Sequence, residues 1–343
     1  MSAPNFTGPT CPACGERCTP TDQFCESCGA PLSPGAAGPA TPPVEAAAGP
    51  APGAPCACGN GAADPDGYCD SCGRLVPAVS DHAETDLGPA GALVTDRGLL
   101  HSRNEDAGHL LALGTGVAVA VADGVSTSED PQKASAAAAR AAVAVLANAT
   151  TLDDATLTGC VRAASAAVAA VTDPVLLDGS GDPLPTASVP ACTLVAAYVA
   201  GSDLGIVSVG DSRAYWIPAD GPGEQLGVDD SWAADAIADG TDPAQAYADR
   251  RAHTITAWLG LDAGPLSPHL TRRTAAGPGM LVLCSDGLWN YAPAVEEMTS
   301  LVRHHLHAAA GVPAVAARSL VDFARAAGGA DNITVALIPV PTR

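Results

Sequence analysis

An apolar run that ends in an acid and a glycine is the feature that most limits how this chain can fold. Gly116 to Val121 is almost all small or β-branched, the composition of a buried strand, and Ala122-Asp123-Gly124 closes it. A buried carboxylate without a partner is costly, and no lysine or arginine stands close to Asp123 in the sequence. The same design recurs at Met280-Leu281-Val282-Leu283-Cys284-Ser285-Asp286-Gly287. It also occurs reversed. Asn104-Glu105-Asp106 opens the strand-like stretch Ala107 to Leu113, and Asp331-Asn332 opens Ile333 to Val340.

In an antiparallel hairpin the start of one strand lies beside the end of the next. The acids that open and close such strands, Asp106 with Asp123 and Asp286 with Asp331, are therefore expected in pairs at sheet edges. Four or five carboxylates gathered at one edge repel one another unless cations sit among them, and hard oxygen ligands suit Mg²⁺ or Mn²⁺. Turn formation by Asp-Gly explains any one of these sites and explains all four together poorly.

Charge and cysteines narrow the class further. With 16 basic and 37 acidic residues in 343, a nucleic-acid surface is disfavoured. No apolar run of membrane-spanning length is present and the N-terminus lacks a basic-then-apolar leader, so the expected setting is cytoplasmic, without a membrane. The 12 cysteines then read as metal ligands or free thiols rather than disulfides.

Two cysteine units precede the acids. Cys11-Pro12-Ala13-Cys14-Gly15 and Cys25-Glu26-Ser27-Cys28-Gly29 form a zinc-ribbon pattern, four thiolates closing a tetrahedral structural site. The second unit pairs Cys69-Asp70-Ser71-Cys72-Gly73 with the tighter Cys56-Ala57-Cys58-Gly59. One or two structural Zn²⁺ ions are expected, supplying folding energy that segments this small cannot draw from a core. The organisation read from composition is a ribbon unit over 1–30, a Pro/Ala/Gly linker over 31–55, a second ribbon over 56–74, a linker over 75–90 and a large domain over 91–343. Arg17 is the only basic residue within 11–29 and 56–73, so the ribbons are expected to dock protein.

In the large domain, strands are expected near 93–95, 107–113, 116–121, 191–200, 204–209, 213–217, 280–285 and 332–339. Helices are expected over 132–149, 153–171, 293–308 and 312–327. Strands in runs and helices in pairs favour an α+β sandwich, two sheets with helices outside.

Six ordered motifs carry a family resemblance: Thr95-Asp96-Arg97-Gly98, Asn104-Glu105-Asp106-Ala107, Ala122-Asp123-Gly124, Gly210-Asp211-Ser212-Arg213, Ser285-Asp286-Gly287-Leu288-Trp289 and Asp331-Asn332-Ile333-Thr334. Over about residues 90–340 the chain resembles the bacterial metal-dependent Ser/Thr protein phosphatases, the type 2C or PPM family. The resemblance implies a four-layer α-β-β-α sandwich and hydrolysis of phosphoserine and phosphothreonine by a hydroxide activated between two Mg²⁺ or Mn²⁺ ions. It implies that Asp106, Asp123, Asp286 and Asp331 are catalytic and that Asp123 bridges both ions. The Gly124 carbonyl would bind one of the two ions, and Asp286 and Asp331 would complete the shell of the first. Glu105 and Asp106 would orient bound waters, Asn332 would orient Asp331 or a water, and Asp211 would join Asp286 around a third ion. Where that third site often has an acid, this chain has Asn290.

A further departure is His101, at the place of the family's phosphate-gripping arginine, with Arg103 two residues on. His101 and Arg103 are the expected phosphate contacts. The implied partners are phosphoproteins made by Ser/Thr kinases. The competing reading is a catalytically weak, regulatory phosphoprotein binder, with His101 marking lost turnover.

Overall fold

The computed structural model describes residues 53–341 except 65, 66, 115 and 186. The first ribbon unit, with Cys11, Cys14, Cys25 and Cys28, lies outside the described residues.

Two antiparallel sheets stack face to face. One has six strands in the order β1 (His82–Asp86), β2 (Ala92–Asp96), β13 (Ile333–Val340), β12 (Gly279–Cys284), β8 (Arg213–Pro218) and β9 (Glu224–Gln225). The other has five, β11 (His269–Thr274), β7 (Asp203–Val209), β6 (Leu194–Ala200), β4 (Gly116–Ala122) and β3 (Ala107–Leu113). A short pair joins β5 (Ala191–Cys192) to β10 (Leu259–Gly260).

Alternation along the strands divides the apolar residues between the two faces of each sheet. Val119, Val121, Val195 and Ile206 of one sheet meet Leu281, Leu283, Ala336 and Ile338 of the other in a central core. On the outer face of the five-stranded sheet lie α1 (Pro131–Ala147) and α2 (Asp154–Ala170), packed through Ala138, Ala142, Leu146 and Leu157 onto Ala118, Ala120 and Ala196. These small side chains bring helix and sheet close together. The six-stranded sheet is covered by α6 (Val295–Ala308) and α7 (Pro313–Ala327), through Met298, Val302, Leu320 and Val321. The layers are thus α-β-β-α, as the resemblance implied. The remaining described helices are α3 (Trp232–Ala238), α4 (Pro243–Ala248) and the single turn α5 (Asp286–Trp289).

The stretch 75–90, expected as a linker, is instead structured. It contains β1, which pairs along its whole length with β2 from His82↔Asp96 to Asp86↔Ala92. Four of its five residues are exposed, so the segment carries no apolar alternation by which it could be read as a strand. The same holds for β11, none of whose residues is fully buried and in which Arg272 and Thr274 are exposed.

Candidate active site

Strand register brings the acids together. Ala107 pairs with Ala122, so Asp106 and Asp123 flank one end of the β3–β4 hairpin. Cys284 pairs with Val335, which sets Asp286 and Asp331 at one end of β12 and β13. The two sheet edges then meet. Asp106, which leads into the five-stranded sheet, accepts hydrogen bonds on Oδ2 from Ser285 Oγ at 2.6 Å and Thr334 Oγ1 at 2.7 Å, both from the other sheet. Ser285 Oγ in turn accepts from the Thr334 amide at 3.0 Å.

Fixed in this way on Oδ2, Asp106 leaves Oδ1 buried with no hydrogen-bond donor, and Asp286 Oδ1 is in the same condition. What both residues face is the carboxyl of Asp123, which can partner them only while one of the pair holds a proton. Burial, then the negative charges of Asp106, Asp286, Asp331 and Asp211, push the Asp123 carboxyl well above the usual carboxylate range. Burial and the charge of Asp331 do the same for Asp286. Asp106 is pushed up to about 6 by burial, against the hydrogen bonds from Ser285 and Thr334. Asp211 is pushed up to about 7 by burial and then by Asp229. His101 beside Asp331 and Arg213 near Asp211 offset only part of this charge, and divalent cations with oxygen ligands fit the donor set.

Glu105 and Gly124 close the rim. Glu105 Oε2 accepts from Ser126 Oγ at 2.7 Å, and its carbonyl accepts from Ser135 Oγ of α1 at 2.5 Å. Burial raises the Glu105 carboxyl. Gly124 is required where it stands, because a Cβ there would lie 2.7 Å from the Glu105 carbonyl oxygen and 2.8 Å from Pro131 Cβ. Gly287 is in a similar position, since a Cβ would collide with the Asn332 carbonyl.

Geometry of this kind, on this architecture, agrees with what comparison finds: residues 100–323 match the family model of protein phosphatase 2C. The chain belongs to the protein phosphatase 2C family. It is 32% identical over 262 residues to the serine/threonine protein phosphatase PstP of Mycobacterium tuberculosis, an alignment covering 72% of this chain and 44% of the relative. The chain thus spans less than half the length of that curated relative. Among solved structures it is similar to the PPM Ser-Thr phosphatase MsPP of Mycobacterium smegmatis in complex with cacodylate, with a TM-score of 0.56, 32% identity and coverage of 72% and 97% of the two chains. It is also similar to the catalytic domain of PstP in complex with two manganese ions, with a TM-score of 0.53, 29% identity and coverage of 73% and 97%.

Within this phosphatase 2C fold the two expected phosphate contacts have other partners. His101 Nε2 lies 3.2 Å from Asp331 Oδ1. Arg103 Nη1 is directed away, to Asp81 Oδ2 at 3.2 Å and the Val76 carbonyl at 3.3 Å. Asn290 donates to Asp286 Oδ2 at 3.1 Å, which occupies the oxygen opposite the unpartnered one. Asn332 does more than was expected of it. Its amide donates to Asp331 Oδ1 at 2.7 Å, while its side chain accepts from the Glu105 amide at 2.7 Å and donates to the carbonyls of Arg97 and Arg103. One asparagine thereby closes the loop 97–105 over the start of β13.

Several supporting residues had no role in the sequence reading. Ser285 and Thr334 stood inside the quoted motifs without a function. Arg213 is buried and bidentate to Asp229, Nε to Oδ1 at 3.1 Å and Nη2 to Oδ2 at 2.6 Å, with its guanidinium 3.6 Å above the Trp289 ring. Trp289 Nε1 donates to the Asp211 carbonyl at 2.9 Å. Asp230 binds the Gly210 amide and His269, each at 2.8 Å. Asp229 and Asp230 so fasten the segment that carries α3 and α4 beside Asp211.

The second cysteine unit forms a cluster of its own. The four sulfurs of Cys56, Cys58, Cys69 and Cys72 lie within 4.8 Å of one another. Cys56 to Cys72 and Cys58 to Cys69 are each 3.7 Å, and four thiolates about 2.3 Å from a tetrahedral Zn²⁺ would be about 3.8 Å apart. Both turns close through a backbone bond, Gly59 to the Cys56 carbonyl at 3.0 Å and Gly73 to the Cys69 carbonyl at 2.8 Å. The one-residue spacing of Cys56 and Cys58 therefore still makes a turn, and the Cys58 amide donates to Cys56 Sγ at 3.4 Å. The Cys72 amide, outweighing burial, draws the Cys69 thiol down to about 7. At Cys56 the Cys58 amide favours the thiolate, but burial and the neighbouring sulfurs push it up to about 12.

Proposed function

We propose that this chain is a metal-dependent protein serine/threonine phosphatase. The observation that carries the reading is the pair of buried, donor-less oxygens on Asp106 and Asp286, on two carboxylates that share Asp123 as a neighbour. Asp106, Asp123, Asp286 and Asp331, with the Gly124 carbonyl, would hold two Mg²⁺ or Mn²⁺ ions, and Glu105 would orient water at the rim. Such ions, when bound, neutralise phosphoryl charge and lower the pKa of the attacking water. The protein's own part is to hold the carboxylates in place: Ser285 and Thr334 fix Asp106, Asn290 fixes Asp286, and the amide of Asn332 fixes Asp331. Asp211 is a ligand candidate for a third ion beside Asp286, with Asn290 lowering the charge there. His101, beside Asp331, is the near candidate for phosphate contact, and Arg103 reaches the phosphate only by leaving Asp81.

Phosphoproteins made by Ser/Thr kinases are the proposed substrates and the cytoplasm the proposed setting; no helix among the described residues is long and apolar enough to cross a membrane. Cys56, Cys58, Cys69 and Cys72 would hold one structural Zn²⁺, and Cys11, Cys14, Cys25 and Cys28 a second, as a module that docks protein.

Hydrolysis of a phosphothreonine peptide, measured with Mn²⁺ and for Asp286→Ala, tests the activity. Turnover that requires manganese and is lost in the variant is expected. The engagement of His101 and Arg103 by carboxylates favours a second reading, a phosphoprotein binder without turnover. Binding of the peptide by folded, manganese-loaded protein with no hydrolysis would establish that one instead.

A further inference from the structure

The stretch that leaves the thiolate cluster is bonded into the loop that carries Glu105 and Asp106. The cluster's small core consists of Cys56, Ala63, Cys69 and Val76, so two of its four buried residues are ligand candidates. Val76 binds the Gly67 carbonyl through its amide at 2.9 Å and receives Arg103 Nη1 on its own carbonyl. Five residues on, Asp81 Oδ2 accepts from the Ala78 amide at 2.7 Å and from Arg103. The Ser80 carbonyl accepts from Asn104 Nδ2 at 3.3 Å. The exit of the cluster is therefore held by the two residues immediately before Glu105.

From Asn104 a directional chain runs to the carboxylate site. Asn104 Nδ2 also donates to Thr95 Oγ1 at 2.8 Å. Thr95 Oγ1 and Thr334 Oγ1 are 2.7 Å apart, and Thr334 gives its proton to Asp106 Oδ2, so the Thr95 proton goes to Thr334. Each hydroxyl accepts once and donates once, and all four side chains are buried. Chains of this type polarise along their length and lose more than one bond when one member moves. This one ends on the oxygen opposite the donor-less Oδ1 of Asp106.

We propose that a thiophilic tetrahedral cation held by Cys56, Cys58, Cys69 and Cys72 positions the Asp106 carboxylate through Val76, Asp81, Arg103 and Asn104, so that filling the thiolate site tightens divalent-cation binding at the carboxylate site. The inference rests on both metal sites proposed above. Without its cation the cluster loses half of its core, Val76 is released, and the anchor of Arg103 goes with it. Coupling between two sites linked in this way is typically about 5- to 150-fold in affinity.

The test uses the full chain, with zinc content read by elemental analysis and Mn²⁺ affinity by titration calorimetry. Cys72→Ser removes the exposed sulfur, and Asp81→Ala removes the charged anchor of Arg103 from the link while sparing the cysteines. Cys72→Ser is expected to hold one zinc fewer than the unaltered chain and to bind Mn²⁺ at least about 5-fold more weakly. Asp81→Ala is expected to keep the full zinc complement and to show a weakening of the same order. A Cys72→Ser chain short of one zinc, or an Asp81→Ala chain with full zinc, that binds Mn²⁺ with unaltered affinity would overturn the coupling and leave both metal sites standing. An unaltered chain that holds no zinc, or that takes up no Mn²⁺, would overturn the coupling together with the reading of the site concerned.

Discussion

The carboxylate site hangs on strands from two sheets, with Asp106, Asp286 and Asp331 each held by bonds that do not depend on an ion, whereas the thiolate site is two turns facing each other across a core of four residues. In the first, the central and helical cores force like charges together. Its acids stay assembled and respond by shifting their titration upward. In the second the turns are joined by a few bonds, such as the Asp70 amide to the Ala62 carbonyl and the Ala62 amide to Asp70 Oδ1, each at 3.0 Å, and there a proposed cation would be part of the fold. The difference bears on what each site could do with a metal. A scaffold that tolerates buried repulsion has an open, strongly binding centre available for chemistry, while a closed four-sulfur cage has no position left for a substrate.

The comparison would be broken most sharply at Asp123. Asp123→Asn is expected to lower manganese-dependent hydrolysis by about 10³-fold or more. The same change should raise the unfolding temperature of the metal-free chain by about 2–4 °C, because it removes a buried carboxyl that four neighbouring carboxylates oppose. A loss of stability in differential scanning calorimetry would show that the acids do not repel in the folded state. Zinc removal should do the opposite at the other site. Amide exchange is expected to rise many-fold across 53–76 while β12 and β13 stay protected, and uniform protection would show that the turns hold without a cation. Gly124→Ala is a milder probe of the carboxylate site. The close approach to Glu105 and Pro131 predicts a cost of about 1–3 kcal/mol by chemical denaturation, with weaker Mn²⁺ binding; a neutral result would mean that the rim gives way freely.

The smallest effect concerns the stretch between the two sites. His82 on β1 lies 2.8 Å from Asp96 and 3.2 Å from Glu84, which themselves pair with Arg325 and Arg318. Burial disfavours the His82 charge, but the two carboxylates outweigh it and raise its pKa. Its contribution to stability is then fully present below about pH 6.5 and fades as pH rises through the higher folded value. The stability difference between the unaltered chain and His82→Gln, from urea titrations at pH 6 and pH 9, should be larger at pH 6. An equal difference at both would mean that the His82 pair is not formed.

Much of the carboxylate site was legible because it is written in strand ends. An apolar run closed by Asp-Gly and another opened by an acid fix which carboxylates share an edge, and the register bears this out for Asp106 with Asp123 and for Asp286 with Asp331. What was not legible depends on contacts between segments far apart in the chain. Arg103 finds Asp81 in a segment with no strand pattern. Asn332 clasps a loop more than two hundred residues earlier. Thr95 and Thr334 on strands and Ser285 just past one are hydroxyls that, in sequence, look like any other; only the meeting of the two sheets shows that Ser285 and Thr334 converge on Asp106, with Thr95 behind Thr334.

The central claim is that the carboxylate cluster is a two-cation centre. Anomalous diffraction at the manganese edge, from crystals of the full chain grown with Mn²⁺, tests it most directly. Two peaks in contact with Asp123, one of them also touching Asp286 and Asp331, are the expected result. Ordered Asp106, Asp123, Asp286 and Asp331 side chains with no manganese among them, at saturating Mn²⁺, would contradict the account.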